Sequence, residues 1–469
     1  MTRVLVVSND LVRRSMAGPG IRNYELAHRL AEAGHEVTLA TPGATDIEEP
    51  GLAMLPFEPG GQGALEAASR RADVVLGQGW VFDRHPELRR NVAHVVADLY
   101  DPFHLESLVA VEAAPMADQV EHHHGRLQVL DRQLQESDFF LCASERQRDF
   151  WLGALSSLNR INPYTHSADP ALRSLIDCVP FGIPDRHPTH DAPALRGVIP
   201  GIEEGDLLLL WGGGIYNWFD PLTLLHGVAR ASRRLPRLRL VFHAGRHPNP
   251  GVGEMPIVAR TRRLSEELGL TGRFVFFNDT WVPYAERARY LLEADVGVST
   301  HPDHVETRFS FRTRVLDYLW ARLPVLSTSG DALADSVEAG GWGLTVPPDD
   351  PGAIAAAIET LAEPEVRAAC RERIEVAIPR LSWSTAAAPL LRYCANPSRA
   401  ADLATGAGVP TVPLVVGLPE PVAGATEAVP PPPPGDVFER LVALHRREGT
   451  AGTLRVIRGR ITGAFRGRW

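Results

Sequence analysis

Residues 296–330 read VGVSTHPDHVETRFSFRTRVLDYLWARLPVLSTSG and carry the pattern that decides the fold. The stretch begins with an apolar run typical of a buried strand and continues as a polar loop. A short helix follows, because Val315, Leu316, Leu319 and Trp320 recur on one helical face. Residues 323–327 then begin another buried strand. Strand, loop, helix and strand in this order predict a βαβ unit of a doubly wound α/β sheet.

Charged side chains crowd the loop of this unit, where it meets the helix. The loop carries Arg308, Arg312 and Arg314, and Asp317 follows inside the helix. Ligands of such sheets bind at this place, and guanidinium groups pair well with phosphate oxygens. The pattern therefore suits a diphosphate, with Asp317 placed to reach a sugar hydroxyl. Taken alone, the same residues also fit a solvated charged loop with two surface salt bridges.

The stretch resembles the donor-site signature of family 4 glycosyltransferases, which have the GT-B fold. In that signature two acids, separated by seven residues, flank a Gly-aromatic-Gly loop and precede an Ala-Met-Ala-x-Gly-x-Pro-Val segment. When residues 322–325 are placed on the end of that segment, Asp317 takes the place of the acid that binds the nucleotide ribose. The place of the Gly-aromatic-Gly loop is taken by Ser310, Phe311 and Arg312. Phe309 falls on the first acid, so Glu306 is the nearest candidate for the catalytic carboxylate that contacts the sugar.

Composition narrows the class of protein. The chain has 469 residues, of which 44% are apolar, and no apolar run long enough to predict a transmembrane helix. Its start, MTRVLVVSNDL, reads as a strand rather than a signal peptide. Four cysteines without CxxC spacing predict neither a zinc site nor a disulfide framework, which suits a reducing cytosol. The net charge of −9 argues against general nucleic-acid binding, which requires a basic surface.

The first strand and the loop after it open a nucleotide-type fold. RVLVVS (3–8) predicts a buried strand, a long loop ends in Gly18-Pro19-Gly20, and residues 21–30 predict an amphipathic helix. The loop lacks the GxGxxG spacing, and no acid ends the second strand, so a dinucleotide site is not predicted. The resemblance implies that backbone amides at Gly18 and Gly20 close over the donor phosphates. The alternative is that this is a flexible loop whose glycines have no role in binding.

Two aspartates follow the predicted strand at residues 93–97. Asp98 stands near the position where the resemblance implies a histidine beside the anomeric carbon, and Asp101 lies three residues later. Both are candidate catalytic groups, either as acceptor-side bases or as sugar ligands. The alternative is an acid that caps a helix before a loop.

The second half opens with a continuous apolar strand at residues 207–211, followed by Gly212, Gly213 and Gly214. Successive glycines allow the backbone to approach an anion closely, so Gly213 and Gly214 are donor-binding candidates. The resemblance implies an arginine and a lysine in this loop that hold the diphosphate, and the sequence has neither. Arg246 and Arg312 are the candidates for the missing positive charge.

The predicted organisation has six parts. They are a Rossmann-like acceptor-side domain (1–184), a linker (185–205), a Rossmann-like nucleotide-sugar domain (206–380), a crossing helix back to the first domain (381–395), a disordered Pro-rich linker (396–435) and a basic amphipathic segment (436–469). The last segment has eight arginines and three acids, which suits contact with anionic lipid or a partner protein.

The resemblance covers roughly residues 1–395 and implies a retaining hexosyltransferase with the GT-B fold, whose two domains face a central cleft. Such an enzyme moves a sugar from a nucleotide-diphosphate sugar to a sugar or lipid-linked acceptor, without a cofactor or metal. The implied setting is bacterial polysaccharide or glycolipid synthesis, in the cytoplasm or at the inner face of the membrane. The alternatives are a degenerate nucleotide-sugar-binding subunit or another GT-B enzyme, such as a sugar-nucleotide epimerase or a phosphorylase.

Overall fold

The computed structural model describes residues 1–59, 61, 63–243 and 245–406. Most of the predicted Pro-rich linker and all of the basic segment 436–469 lie outside these residues. In the part of the chain that is described, no helix combines the length and the apolar character needed to cross a membrane.

The first domain is built on a parallel sheet. Its strands are β1 Arg3–Val7, β2 Glu36–Pro42, β3 Leu52–Phe57, β4 Val74–Gly77, β5 His94–Asp98, β6 Phe139–Cys142 and β7 Ile176–Cys178. Its helices are α1 Gly18–Glu32, α2 Ala64–Ser69, α3 Trp80–Arg84, α4 Glu87–Asn91, α5 Phe103–Ala110, α6 Met116–Glu136, α7 Glu145–Ser157 and α8 Pro163–Ala168. Among the described residues the seven strands lie in the order β3-β2-β1-β4-β5-β6-β7, so the winding reverses between β1 and β4.

The second domain repeats this plan. Its strands are β8 Leu207–Gly212, β9 Leu238–His243, β10 Val275–Phe277, β11 Val296–Ser299, β12 Val325–Thr328 and β13 Gly343–Val346. Its helices are α9 Pro221–Ala231, α10 Pro256–Glu267, α11 Arg287–Glu293, α12 Val305–Phe309, α13 Arg314–Trp320, α14 Ala332–Gly340 and α15 Pro351–Leu361, with a 3-10 turn at Tyr284–Glu286. Six parallel strands of the described chain take the order β10-β9-β8-β11-β12-β13, which reverses between β8 and β11. The predicted fold class, two doubly wound α/β domains, is confirmed.

The apolar runs that predicted the strands are the centres of the two sheets. Val6 of β1 and Leu210 of β8 are completely buried, as are Val298 of β11 and Leu326 of β12. Helices cover both faces of a parallel sheet, so its strands are apolar on both sides rather than alternating. Continuous apolar runs in the sequence are therefore a reliable signal for this architecture.

Two local differences from the sequence prediction shape the cleft. Helix α1 begins at Gly18 rather than after Gly20, with a proline in its first turn. Residues 305–309, expected within a polar loop, form α12 because the His304 ring nitrogen accepts hydrogen bonds from the Glu306 and Thr307 amides. A histidine cap is an uncommon start signal, so the sequence pattern did not reveal this helix.

The chain passes between the domains twice. Residues 185–205 make the first passage without a helix or strand, and the return follows α16 Pro364–Leu381 into α17 Trp383–Ala386, α18 Ala388–Ala395 and α19 Ala401–Ala404. The two passages are bonded to each other: the Ile183 amide donates to the Leu381 carbonyl at 2.8 Å, and the Trp383 amide donates to the Ile183 carbonyl at 2.9 Å. Helix α19 is fixed to the first domain by a buried ion pair between Arg160 and Asp402.

Candidate functional site

A cavity of about 380 Å³ lies between the two domains and is called the cleft cavity below. The first domain contributes the start of α1 and residues 100–102 and 106, which follow β5. The second domain contributes the glycine loop 212–214 at the end of β8 and residues 310–314 before α13. It also contributes residues 281, 282, 284, 287 and 291. Both sheets thus present the carboxyl ends of their strands, where open α/β sheets bind ligands.

The glycine loop after β8 brings bare backbone to this cavity. Gly213 has φ +104°, a conformation that side chains other than glycine rarely adopt. The Gly212 amide donates to the Tyr318 hydroxyl at 2.7 Å, and that hydroxyl donates to the Val298 carbonyl at 2.8 Å. Tyr318 is completely buried, so it fixes the loop against β11. Gly213 and Gly214, the donor-binding candidates of this loop, both line the cleft cavity.

Arg314 is a buried cation beside this loop. Its guanidinium donates to the Gly214 carbonyl at 2.8 Å and lies 3.9 Å from the centre of the Phe219 ring. Among the described residues, no aspartate or glutamate pairs with it, and its Nη1 is buried without a hydrogen-bond partner. Burial lowers the pKa of Arg314 to about 10, and the nearby Arg312 adds to this shift. Such a cation is ready to receive an anion from the cavity.

Arg312 and Glu306 form a second buried pair. Arg312 lines the cleft cavity, and its Nη2 lies 2.6 Å from a Glu306 carboxylate oxygen. Glu306 is completely buried and is not among the lining residues. The structure thus places Arg312, and not the expected Glu306, in the wall of the cleft cavity, because the buried Glu306 carboxylate is paired with Arg312. Phe309, on the place of the first acid, packs against Phe150 of the first domain at 4.4 Å.

Asp317 also lines the cleft cavity, and Arg287 orients its side chain. Arg287 Nε lies 2.9 Å from Asp317 Oδ1, and the guanidinium stacks over the Tyr284 ring at 3.7 Å and the Trp320 ring at 4.6 Å. The Asp317 side chain is 38% exposed, so its carboxylate remains open to a hydroxyl group. Sequence reasoning missed Arg287, because no local pattern links it to a partner thirty residues later.

Asp98 does not lie at the cavity, which corrects its candidacy as a catalytic group. Its carboxylate accepts two hydrogen bonds from Arg22, at 2.5 Å from Nε and 2.9 Å from Nη2. Arg22 also donates to the Val179 carbonyl at 2.8 Å and lies over the Tyr100 ring. Both side chains of the pair are almost completely buried. Asp98 is therefore a structural ion-pair partner rather than a base.

Asp101 does line the cavity, next to Glu106 on α5. Burial raises the pKa of Asp101 to about 7, and the negative charge of Glu306 contributes to the shift. Burial and the neighbouring Asp101 also raise the pKa of Glu106 well above its ordinary value. Two carboxyl groups that share a low-dielectric site do not both ionise, so this pair holds a proton near neutral pH.

This pair makes stability depend on pH. The ordinary pKa of an aspartate is 3.8, so between that value and about pH 7 the folded protein binds more protons than the unfolded chain. We therefore expect the free energy of unfolding to fall as pH rises through this window. Denaturant midpoints measured at about pH 5 and about pH 8 check this, and the fall should be smaller in Asp101→Asn. An equal fall in both proteins would contradict the assignment.

Of the other expected site residues, some line the cleft cavity and some do not. Gly18, Ser310 and Phe311 line the cleft cavity. Gly20 does not: it is buried in α1, where a Cβ atom would collide with the Leu11 carbonyl. Arg246 is exposed and is likewise not a lining residue, whereas His243 at the end of β9 and His247 in the loop after it are. Arg314, and not Arg246, brings a guanidinium to the wall of the cleft cavity next to the glycine loop.

Comparison with known proteins bears on this geometry. Residues 209–364 match the family model described as "Glycosyl transferases group 1", and this range contains the glycine loop, Arg312, Arg314 and Asp317. The protein is a glycosyltransferase. No curated protein sequence matches the chain.

Solved structures of glycosyltransferases share the fold. Sucrose-phosphate synthase from Thermosynechococcus elongatus is 18% identical with a TM-score of 0.59, over 84% of this glycosyltransferase and 98% of that chain. WaaG, a glycosyltransferase involved in lipopolysaccharide biosynthesis, is 15% identical with a TM-score of 0.58, over 84% and 100%. Anabaena Alr3699/HepE, in complex with UDP and glucose, is 12% identical with a TM-score of 0.53, over 84% and 100%. The glycosyltransferase thus has the GT-B fold.

Proposed function

We propose that the protein transfers a sugar from a nucleotide-diphosphate sugar to a hydroxyl acceptor and retains the anomeric configuration. The observation that carries this proposal is the buried Arg314, which lies beside the backbone of Gly213 and Gly214 without an acidic partner in the described chain. A diphosphate placed there would satisfy the guanidinium and the exposed backbone together. The complexes of HepE with UDP and glucose lend support, because that protein shares the fold.

The remaining groups of the cavity fit the other parts of a nucleotide sugar. Asp317, oriented by Arg287, is suited to bind the ribose hydroxyls. Trp281 and Tyr284 offer flat faces for the base, and the Trp281 indole is already held by the Met16 carbonyl at 3.2 Å. The sugar would then lie toward Asp101 and Glu106 of the first domain. A protonated carboxyl in this pair would donate a hydrogen bond to a sugar oxygen rather than repel the diphosphate.

The proposed chemistry depends on stabilising the leaving diphosphate. Arg314 and Arg312 would balance the charge that develops as the glycosidic bond loosens, in a site from which the domains exclude water. The acceptor hydroxyl would attack from the same face, and a phosphate oxygen of the leaving group would take its proton. Because guanidinium groups supply the positive charge, the proposed reaction uses no metal and no cofactor.

The biological setting proposed for this reaction is cell-surface polysaccharide or glycolipid synthesis at the cytoplasmic side. Its support is the sequence resemblance alone. The contact predicted for residues 436–469, with a membrane or a partner protein, lies outside the described residues and stays a prediction.

Transfer is tested by incubating the purified full chain with a panel of nucleotide sugars, with and without sugar and lipid-linked acceptors. We expect one nucleotide sugar to release its nucleoside diphosphate faster when acceptor is present. The anomeric configuration of the product, read by NMR, tests retention. An inverted product would overturn the retaining mechanism, and no release from any donor would overturn the proposed function.

The donor site is tested by Asp317→Ala and Arg312→Ala. Each change removes a hydrogen-bonding charged group worth about 1.5–3 kcal/mol, so we expect the nucleotide Kd to rise about 10- to 150-fold. Calorimetric titration with UDP, GDP and ADP measures this. Glu267→Ala and Arg260→Ala are the matched controls, because both residues are exposed on α10. Wild-type affinity in both site variants would show that the nucleotide binds elsewhere.

A further inference from the structure

A second cavity, of about 330 Å³, lies in the first domain. It is lined by the segments that follow β1, β2, β3 and β4, and Asn249 and Pro250 of the second domain close one side. These are the carboxyl ends of neighbouring strands, and the winding of the sheet reverses between β1 and β4. Such a reversal leaves a crevice that open α/β sheets use for ligands. The cleft cavity uses the corresponding place in the second domain, so the second cavity is its counterpart.

The polar lining of this cavity is positive. Arg13 and Arg84 are among the lining residues, together with His85, whereas no aspartate or glutamate is. Neither arginine forms an ion pair within the described part of the chain. Asp10, the acid nearest to Arg13 in the sequence, accepts a hydrogen bond from the Asn249 side-chain amide at 2.8 Å. Asp83, next to Arg84 in the sequence, forms an ion pair with Arg132 instead. Two cations without counter-ions are an unusual feature in a protein whose net charge is −9.

Of the two arginines, Arg13 gives the stronger indication of an anion-binding site. Its Nε is buried and has no hydrogen-bond acceptor. A buried donor without an acceptor costs free energy, and a ligand oxygen that accepts from it removes this cost. Trp80 adds a flat apolar face to the same cavity, and Arg84 lies 6.0 Å from the centre of its ring. An aromatic ring beside arginines suits a molecule with an apolar face and an anionic group, such as a charged sugar.

The second cavity is next to the cleft cavity. The loop between β1 and α1 lines both: residues 8, 9, 11 and 13 face the second cavity, and residues 16–18 face the cleft. The loop after β9 does the same, with Asn249 in one cavity and His247 in the other. Arg126 lies 4.8 Å over the Trp80 ring, and its positive charge acts on Asp101 and Glu106 of the cleft. The second cavity and the cleft cavity are therefore connected through the same two loops.

We infer that the second cavity binds a phosphate or carboxylate group of the acceptor through Arg13 and Arg84, while the acceptor hydroxyl reaches into the cleft. The acceptor is then an anionic sugar, such as a sugar phosphate or a uronic acid, rather than a neutral one. This inference rests on the proposed function, because it assigns the acceptor of that reaction.

Binding of small anions to the full chain tests the inference without knowledge of the natural acceptor. The probes are inorganic phosphate, glucose 6-phosphate, glucuronate and glucose, titrated calorimetrically in the presence of saturating nucleoside diphosphate so that the diphosphate site is filled. We expect glucose 6-phosphate or glucuronate to bind at least about tenfold more tightly than glucose, because charge-assisted hydrogen bonds are formed only with the anions. Which of the two binds more tightly distinguishes a phosphate acceptor from a carboxylate acceptor.

Variants locate the binding. Arg13→Gln and Arg84→Gln should each weaken the anion about tenfold or more, and the double variant should abolish the preference over glucose. Arg90→Gln is the matched control, since Arg90 is an exposed arginine of α4 outside both cavities. Wild-type anion affinity in the double variant, or equal binding of glucose, would overturn the inference, as would no binding of any anion. Nucleotide affinity should be unchanged in these variants, so a failure of nucleotide binding in the wild type would count against the proposed function instead.

Discussion

Replacing Asp98 with alanine should destabilise the protein by about 3–5 kcal/mol, because it leaves the charge of Arg22 buried without a partner. Arg22 is completely buried, and its other polar partner is the Val179 carbonyl, with the rings of Tyr100 and Phe181 against the guanidinium. Removing one member of a buried ion pair is costly, since the other charge cannot regain its hydration. Chemical denaturation followed by tryptophan fluorescence measures the loss as a lower midpoint.

The same pair provides a control that separates structure from catalysis. A double variant, Arg22→Met with Asp98→Leu, removes both charges and should regain much of the lost stability. Transfer activity should return with it, because neither side chain lines the cleft cavity. If Asp98→Ala unfolds like the wild type but loses transfer, Asp98 is catalytic after all.

Arg314→Gln should weaken the binding of nucleoside diphosphates without harming the fold. A charged hydrogen bond to phosphate is worth about 1.5–3 kcal/mol, so the Kd for UDP or the preferred diphosphate should rise about 10- to 150-fold. The unliganded variant should be as stable as the wild type or more so, because a buried cation without a counter-ion is removed. Few substitutions at a buried position combine lost affinity with kept stability.

Two measurements make this prediction specific to phosphate. The affinity for the nucleoside alone should be unchanged in Arg314→Gln, since the ribose and base contacts remain. The rise in melting temperature that the diphosphate gives to the wild type should be largely lost. Arg260→Gln, at an exposed position of α10, should behave as the wild type. If Arg314→Gln weakened the binding of the nucleoside and of the nucleoside diphosphate equally, Arg314 would not be the residue that binds the phosphate.

Local patterns predicted much of the fold and part of the site. Buried parallel strands are continuous apolar runs, so the strands that begin at Arg3, Leu207 and Val296 were visible in the sequence. The helix that bears Asp317 was visible from its apolar face, and the Gly213–Gly214 loop from its composition. These signals are local, and each depends on neighbouring residues alone.

The choice of partners could not be predicted in this way. No local pattern gives Asp98 a partner, and the fold brings Arg22 to it from seventy-six residues earlier in the chain. Arg312 and Arg314 look equivalent in the sequence, yet one is paired with Glu306 and the other has no acidic partner in the described chain. Whether a charged group is available to a ligand depends on contacts between distant segments, and a single sequence does not record them.

The paired chain passages at Ile183 and Trp383 limit how the two lobes can move. Each passage is hydrogen-bonded to the other, so a relative motion of the two domains that keeps these bonds would be a rotation about this point. Gly182 allows the two passages to pack closely, since a Cβ atom there would lie 2.6 Å from the Trp383 backbone. The Gln147 side-chain amide of the first domain donates to the Phe309 carbonyl of the second at 2.8 Å. A domain rotation that opened the cleft would break hydrogen bonds such as this one and keep those at Ile183.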